Sequence, residues 1–180
     1  VRLITHQNYE MIVKAHGLEF WSVQGNVQEV AESREMQELL EKGNFFTITA
    51  RTAKEAKRAM LLWAQDGLAA CQGMELIIAG IGGLFVAFSL AEKWGIPLLQ
   101  AYLVPFTPTK AFVSVLLPTS LSRLGGTFRR VSHHLTRQMM WHGSRSADKV
   151  ARQQVLGLPT APFWGPYNSP PFRQNPILYG

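Results

Sequence analysis

The stretch Glu75–Val104, ELIIAGIGGLFVAFSLAEKWGIPLLQAYLV, decides the fold. Glu75–Ala79 is apolar after its first residue, which predicts a strand in a sheet buried on both faces. Gly80-Ile81-Gly82-Gly83 reads as a turn, Leu84 to Trp94 as a helix of about three turns stopped by Gly95, and Ile96–Val104 as the next strand. Strand, helix and strand in this order make a βαβ unit, in which the crossover leaves the two strands parallel. A membrane span is the competing reading of Leu76 to Ala91, but that run is only 16 residues long, holds three glycines and is bracketed by Glu75 and Glu92-Lys93. A bilayer needs roughly 20 apolar residues, so a buried strand followed by a buried helix fits better.

Upstream the same unit recurs. Val1–His6 alternates and is rich in β-branched residues, Gln7 to His16 carries Tyr9, Ile12 and Val13 at helical spacing before Gly17, and Leu18–Val23 is a second strand. Val27 to Lys42 is a charged helical stretch, and Thr52 to Leu68 an amphipathic helix with Ala53, Ala56, Met60, Trp63, Ala64 and Gly67 along one stripe. Repeated βαβ units predict an α/β fold, a Rossmann-like open parallel sheet flanked by helices. Val1 already lies in a strand, with no initiator Met and no signal-peptide layout, so a first strand is expected ahead of it.

Downstream the pattern changes. Pro105, Pro108 and Pro118 punctuate a loop; a helix from Thr127 to His142 follows with Val131, Leu135, Met139 and Met140 as its apolar stripe, and Val150 to Leu156 reads as a further short helix. Residues 1–158 form one domain on this reading. Residues 159–180 are rich in Pro and aromatics without periodicity, as in a segment that docks on something or leads to another domain.

Composition narrows the function classes. The chain is 47% hydrophobic and 17% charged, as an ordinary globular fold is. Cys71 is the only cysteine, which excludes an internal disulfide and a cysteine metal site and suits a cytoplasmic compartment. The net charge is +6, and the stretch from Arg123 to Arg152 holds seven Arg and Lys against Asp148 alone, so the basicity is local. Arg129, Arg130 and Arg137 beside Leu135, Met139 and Trp141 resemble an amphipathic element for an anionic, peripheral membrane surface; a solvated helix face is the plain alternative. Aromatics are not interleaved with these cations in a stacking pattern, which argues against a nucleic-acid partner.

In an open parallel sheet, ligands sit beyond the carboxyl ends of the strands. That rule nominates His6, the Gly80–Gly83 turn and the segment 104–109. Gly80-x-Gly82-Gly83 opens a helix, so its amides can face an anion, but Phe85 breaks the dinucleotide spacing and no carboxylate follows the next strand. A tight turn that lets the helix pack closely is the plainer reading of the same glycines. His133 and His134 are adjacent, hence about 100° apart on a helix, with Arg137 and Gln138 in place of a ligand one turn on; no metal is expected. No nucleophile-elbow, P-loop, zinc or EF-hand spacing occurs.

Taken together, VRLITHQNY, HGLEFWSVQGN, MELIIAG, SLAEKWGIPLLQAYLVPFTPTKAF, FRRVSHHLTRQMMW, RQQVLGLPTAPFWGP and PILYG cover almost the whole chain. In this order they resemble the N-terminal domain of glycosyltransferase family 28, nearest its sterol and lipid glucosyltransferase-like members. The resemblance implies the N-terminal half of a GT-B fold, lacking its first strand, and an inverting enzyme that moves a hexose from a UDP- or TDP-sugar to a hydroxyl of a sterol, lipid or polyketide-like acceptor. The nucleotide sugar is then a co-substrate held mainly by a C-terminal donor-binding domain, with no other cofactor. The family's glycine-rich first loop and proposed base would precede Val1, so no catalytic base is assigned and the chain alone is expected to be inactive. What the resemblance leaves to this chain is an acceptor pocket built from His6, Gly82, Gly83, Pro105, Phe106, Thr107 and Thr109, capped by His134 and Trp141. The competing readings are a non-catalytic module docking on anionic lipid and a Rossmann-type oxidoreductase.

Overall fold

The computed structural model describes residues 1–25 and 45–180; the helix expected over Val27 to Lys42 lies outside them. Strand β1 (Arg2–His6) is followed by a 3-10 turn (Gln7–Tyr9), helix α1 (Glu10–Ala15) and strand β2 (Glu19–Val23). Helix α2 (Phe45–Ala70) leads to β3 (Ile77–Ala79), a 3-10 turn (Ile81–Gly83), α3 (Leu84–Trp94) and β4 (Leu98–Tyr102). Helix α4 (Gly125–Val150) passes without a break into a π-helical turn (Ala151–Leu156), so the two expected helices are one rod; α5 (Pro170–Gln174) and β5 (Ile177–Tyr179) close the chain.

Among the described residues every strand pairing is parallel, as the βαβ reading requires. β1 pairs β2 with Arg2 opposite Glu19, β3 pairs β4 with Ile77 opposite Leu98, and β4 pairs β5 with Gln100 opposite Ile177. The strands form two sheets, β1-β2 and β3-β4-β5. The facing edges of β1 and β3 pair with no strand among the described residues, and a cleft opens between them. This corrects the expectation that β3 is covered on both faces: Ile78 is 62% exposed because it stands in the cleft wall.

α3 is the centre of the core. Leu84 to Ala91 are all buried, so this helix is apolar on every side. Phe85, Phe88 and Ala91 pack with Leu98, Tyr102, Phe106, Trp141, Tyr167 and Phe172, while Val86 and Leu90 pack with Ala64, Cys71, Ala151 and Leu156. Gly67 lets α2 approach, since a Cβ there would sit 2.6 Å from Leu90 Cδ1. Ser89 is the one hydroxyl in the buried run; it donates to Asp148 Oδ1 (3.4 Å) and accepts from Arg152 Nη1 (3.0 Å). Arg152, buried, also donates to Pro159 O and pairs with Glu92 at 2.9 Å. Burial pushes the Asp148 carboxyl up to about 6, against the opposing pull of Arg152 and the Ser89 hydrogen bond.

The tail and α4 complete the fold. The segment 159–180 folds back onto the domain: Tyr167 and Phe172 are core residues, and β5 adds a third parallel strand. Over the first turns of α4 the buried side is polar. Ser132, His133, Thr136 and Asp148 are buried, whereas Val131 and Leu135 of the expected apolar stripe are 53% and 52% exposed. The reason lies in the 105–118 loop, which needs polar partners. Ser114 N–H donates to Ser132 Oγ (2.9 Å), Thr136 Oγ1 donates to Ser114 Oγ (2.6 Å), and His133 Nε2 lies 3.1 Å from Phe112 O. Satisfying these buried loop groups turns Val131 and Leu135 outward, while Met140 of the same stripe packs against the core.

Candidate functional site

A space of about 570 Å3 lies between the unpaired edges of β1 and β3, where the doubly wound strand order seats a central strand, and it reaches the rim beyond their trailing ends where open parallel sheets hold ligands. Its walls are mostly apolar: Ile4, Val23, Trp63, Ile77, Val86 and Leu90 among them. His6, the last residue of β1, and Gly80, Gly82 and Gly83 after β3 all line it, so the two nominated turns share one rim. A Cβ on Gly82 or Gly83 would meet nothing within 4 Å; these glycines leave the cleft open and are not demanded by helix packing.

The polar features of this cleft are few and fixed. Trp63 Nε1 donates to Gln24 O (2.9 Å), and Gln24 N–H donates to Asp66 Oδ2 (2.9 Å), which ties the end of β2 to α2. The Trp63 ring stands 5.8 Å from that of His6 at a 58° tilt. With one side against this anchored indole, His6 keeps a buried Nδ1 that has no hydrogen-bond partner. Cys71 lies in the floor, and burial pushes its thiol up, against a smaller opposing effect of Arg2. Such a wall-to-anchor ratio suits a largely apolar ligand with one polar group.

A second hollow of about 220 Å3 gathers Thr107, His134 and Arg137 with Gln138, Tyr167 and Arg173. Thr107 N–H donates to Tyr179 Oη (2.9 Å), and the two hydroxyls hydrogen-bond as well. Arg137 Nε donates to Phe106 O (3.1 Å), with its guanidinium carbon 5.2 Å from the Phe106 ring centre and 5.3 Å from that of Tyr167. Burial first, then Arg137, Arg130 and His133, lower the His134 pKa.

The nominated residues therefore divide between two places. His6, Gly82 and Gly83 meet in the cleft; Thr107 and His134 meet in the smaller hollow together with Arg137. Phe106 is buried in the core, Pro105 is exposed, and Thr109 Oγ1 accepts the Ala111 N–H (3.2 Å). Trp141 is 1% exposed, packs edge-on against Phe85 and donates its indole N–H to Phe163 O (2.8 Å), so it supports the core rather than capping a ligand. Nor do the three arginines form one free face. Arg129 donates to the carbonyls of Ser122, Lys110 and Ala111, Arg137 to that of Phe106, and Arg130 is the exposed one of the three. Trp63 and Tyr167 were not nominated: one reads only as part of a helical stripe, the other as one aromatic in an irregular tail, and neither pattern signals a cavity.

A further depression of about 520 Å3, lined by Ala91, Glu92, Gly95, Arg152 and residues 159–162, lies toward the leading end of β4. Its polar groups already serve the Arg152–Glu92 pair, and it is on the wrong rim for a ligand of a parallel sheet.

No family model matches the chain. Among curated proteins it is 28% identical over 163 residues to a sterol 3-beta-glucosyltransferase of Debaryomyces hansenii and to one of Pichia angusta, each alignment covering 88% of the chain. A sterol 3-beta-glucosyltransferase of Cryptococcus neoformans is 29% identical over 169 residues, 90% of the chain. The chain is similar to sterol glucosyltransferases. It spans about a tenth of the length of these relatives, 10% of the first and 12% of the second. The parallel strands flanked by helices are the α/β, Rossmann-like arrangement of a partial GT-B fold. Among the described residues no helix is long and apolar enough to cross a membrane.

Proposed function

We propose that this chain is the acceptor-binding part of a glycosyltransferase that moves a hexose from a nucleotide sugar to the hydroxyl of a sterol-like acceptor. The cleft between β1 and β3 holds the acceptor, and the nucleotide sugar is bound by another part of the full-length protein. The observation that carries this reading is a largely apolar cleft with His6 among its few polar lining residues. A flat hydrocarbon skeleton with one hydroxyl fits such a lining: the rings cover Ile4, Val86 and Leu90, and the hydroxyl lies beside the His6 imidazole. Held in this way, the acceptor oxygen sits at the rim with its orientation fixed, which is the contribution a binding half makes to catalysis. The similarity to sterol 3-beta-glucosyltransferases across 88% of the chain supports the same acceptor class.

The test is a titration with a naturally fluorescent sterol, excited by energy transfer from tryptophan. Saturable one-to-one binding is expected. His6→Phe, which keeps a ring beside Trp63 and removes the polar atom, weakens it roughly three- to tenfold. A sterane lacking the hydroxyl is expected to bind wild type and His6→Phe alike. Absence of saturable binding, or equal weakening for both ligands, refutes the reading.

A second reading rests on a separate observation. Leu124, Val131 and Leu135 are exposed on one side of α4, with Arg123 and Arg130 also exposed. Apolar residues in solvent beside exposed cations are the composition of a surface that lies on anionic lipid, and it is compatible with an acceptor that is drawn from a membrane.

A further inference from the structure

Phe163 and Trp164 are 52% and 61% exposed, two large aromatics side by side at the tip of a turn. The backbone beneath them is closed on itself. Gly165 N–H donates to Pro162 O (3.0 Å), Trp141 Nε1 to Phe163 O (2.8 Å) and Gln138 Nε2 to Trp164 O (3.0 Å). Three consecutive carbonyls thus have donors from the protein, and Pro162 has no N–H to satisfy. A turn in water does not need this, because solvent supplies the partners; a turn that leaves water does. The two rings meet edge to face with centres 5.0 Å apart, and His142 holds them at 5.3 and 6.2 Å. What the turn offers outward is ring surface on a fixed frame.

The turn rests on the outward face of α4. Val131, Leu135, Gln138, His142, Arg145 and Lys149 follow one another at steps of three and four residues and so share one side of the helix. Three of that row touch the turn: Gln138, His142 and Arg145, whose guanidinium carbon stands 4.4 Å from the Phe163 ring centre. Val131 and Leu135 are exposed at one end of the row, and Arg145 and Lys149 at the other. The one acidic residue between Arg123 and Arg152 is Asp148, which is buried. The face is therefore aromatic and aliphatic, carries cations and has no exposed acid from α4. Its charge selects an anionic partner. Its satisfied carbonyls select one that brings no backbone donors of its own, which is a lipid surface and not a protein. Tryptophan beside basic side chains suits the level of the headgroups.

We propose that the turn 162–165 is a wedge for an anionic bilayer. Phe163 and Trp164 enter the boundary between headgroups and acyl chains, and Arg145 and Lys149 meet the lipid phosphates above them. This rests on the second reading above, in which α4 lies on lipid, and adds the group that penetrates.

The test is co-sedimentation of the whole chain with vesicles of equal parts phosphatidylcholine and phosphatidylserine, joined to quenching of tryptophan fluorescence by lipids brominated on the acyl chain. Wild type is expected to bind and to be quenched. Phe163→Ser with Trp164→Ser weakens binding at least about fivefold. Both side chains are more than half in solvent, so thermal unfolding of that variant is expected to match wild type. Trp164→Phe keeps the binding and loses most of the quenching, which identifies the indole that enters. If the double variant binds as wild type does, or Trp164→Phe is quenched as strongly as wild type, the wedge is overturned and the α4 surface stands without it. Wild type that ignores the vesicles at every salt concentration overturns both.

Discussion

Gly165 is expected to be among the least replaceable residues of this chain. Its backbone sits at φ 80°, ψ −177°, a region open essentially to glycine alone, where another residue costs of order 1–3 kcal/mol. A Cβ built there would lie 2.8 Å from both Cγ and Cδ2 of Trp141. That ring cannot retreat: Trp141 is fully buried, meets Phe85 edge-on at 5.3 Å between centres and donates to Phe163 O. Forcing an extra methyl into such packing costs about another 1–3 kcal/mol. Gly165→Ala is therefore expected to lose about 2–6 kcal/mol, a large share of the roughly 5–15 kcal/mol that holds a typical domain folded.

Gly17→Ala is the reference that separates the two contributions. Gly17 has φ 69°, and a Cβ there would meet nothing within 4 Å, so only the left-handed backbone is penalised, by about 1–2 kcal/mol. Urea unfolding followed by tryptophan fluorescence measures both. With a slope of about 2 kcal/mol per molar, the Gly165→Ala midpoint should fall by roughly 2 M and that of Gly17→Ala by less than about 1 M. Equal losses in the two variants would show that Trp141 yields, and the packing argument would be wrong.

Two more expectations concern charge and surface. Asp148 has a folded pKa of about 6 against an ordinary value of 3.8. Below pH 3.8 the carboxyl is protonated in both states and the fold keeps its full stability; between 3.8 and about 6 the unfolded chain ionises first, so stability falls as pH rises. About two pH units at 1.36 kcal/mol each give an upper bound of about 3 kcal/mol. Wild type should therefore lose stability relative to Asp148→Asn across this window, and a flat difference between the two unfolding curves would contradict it. On α4, wild type is expected to co-sediment with anionic vesicles at low salt and less at high salt. Val131→Ser with Leu135→Ser should abolish this, since both side chains are half in solvent and contribute little to the core; no sedimentation of wild type at any salt would remove the surface reading.

Local periodicity was enough to read the parallel strands, α3 and the rim at His6 and Gly80–Gly83. Alternation and helical spacing are set by neighbours in the chain, and the βαβ connection leaves one orientation for the strands. The apolar run from Leu84 to Ala91 could be assigned to a buried helix because no face of it offers water a partner. The resemblance to sterol and lipid glucosyltransferases was likewise legible in linear motifs, and the similarity to sterol 3-beta-glucosyltransferases falls over the same span.

Tertiary structure alone decided what those elements enclose. The side chains that line the space between β1 and β3 come from elements far apart in the chain, Trp63 of α2 and Leu90 of α3 among them, and no period in the sequence records that meeting. The reversal on α4 depends on the 105–118 loop, whose backbone needs Ser132, His133 and Thr136 and so leaves Val131 and Leu135 outside. Arg137 and Tyr167 are 30 residues apart and meet only because 159–180 folds back to add β5 beside β4. Spacing within an element is a local property of the backbone, whereas which polar group ends up without a partner is settled only when distant segments have claimed theirs.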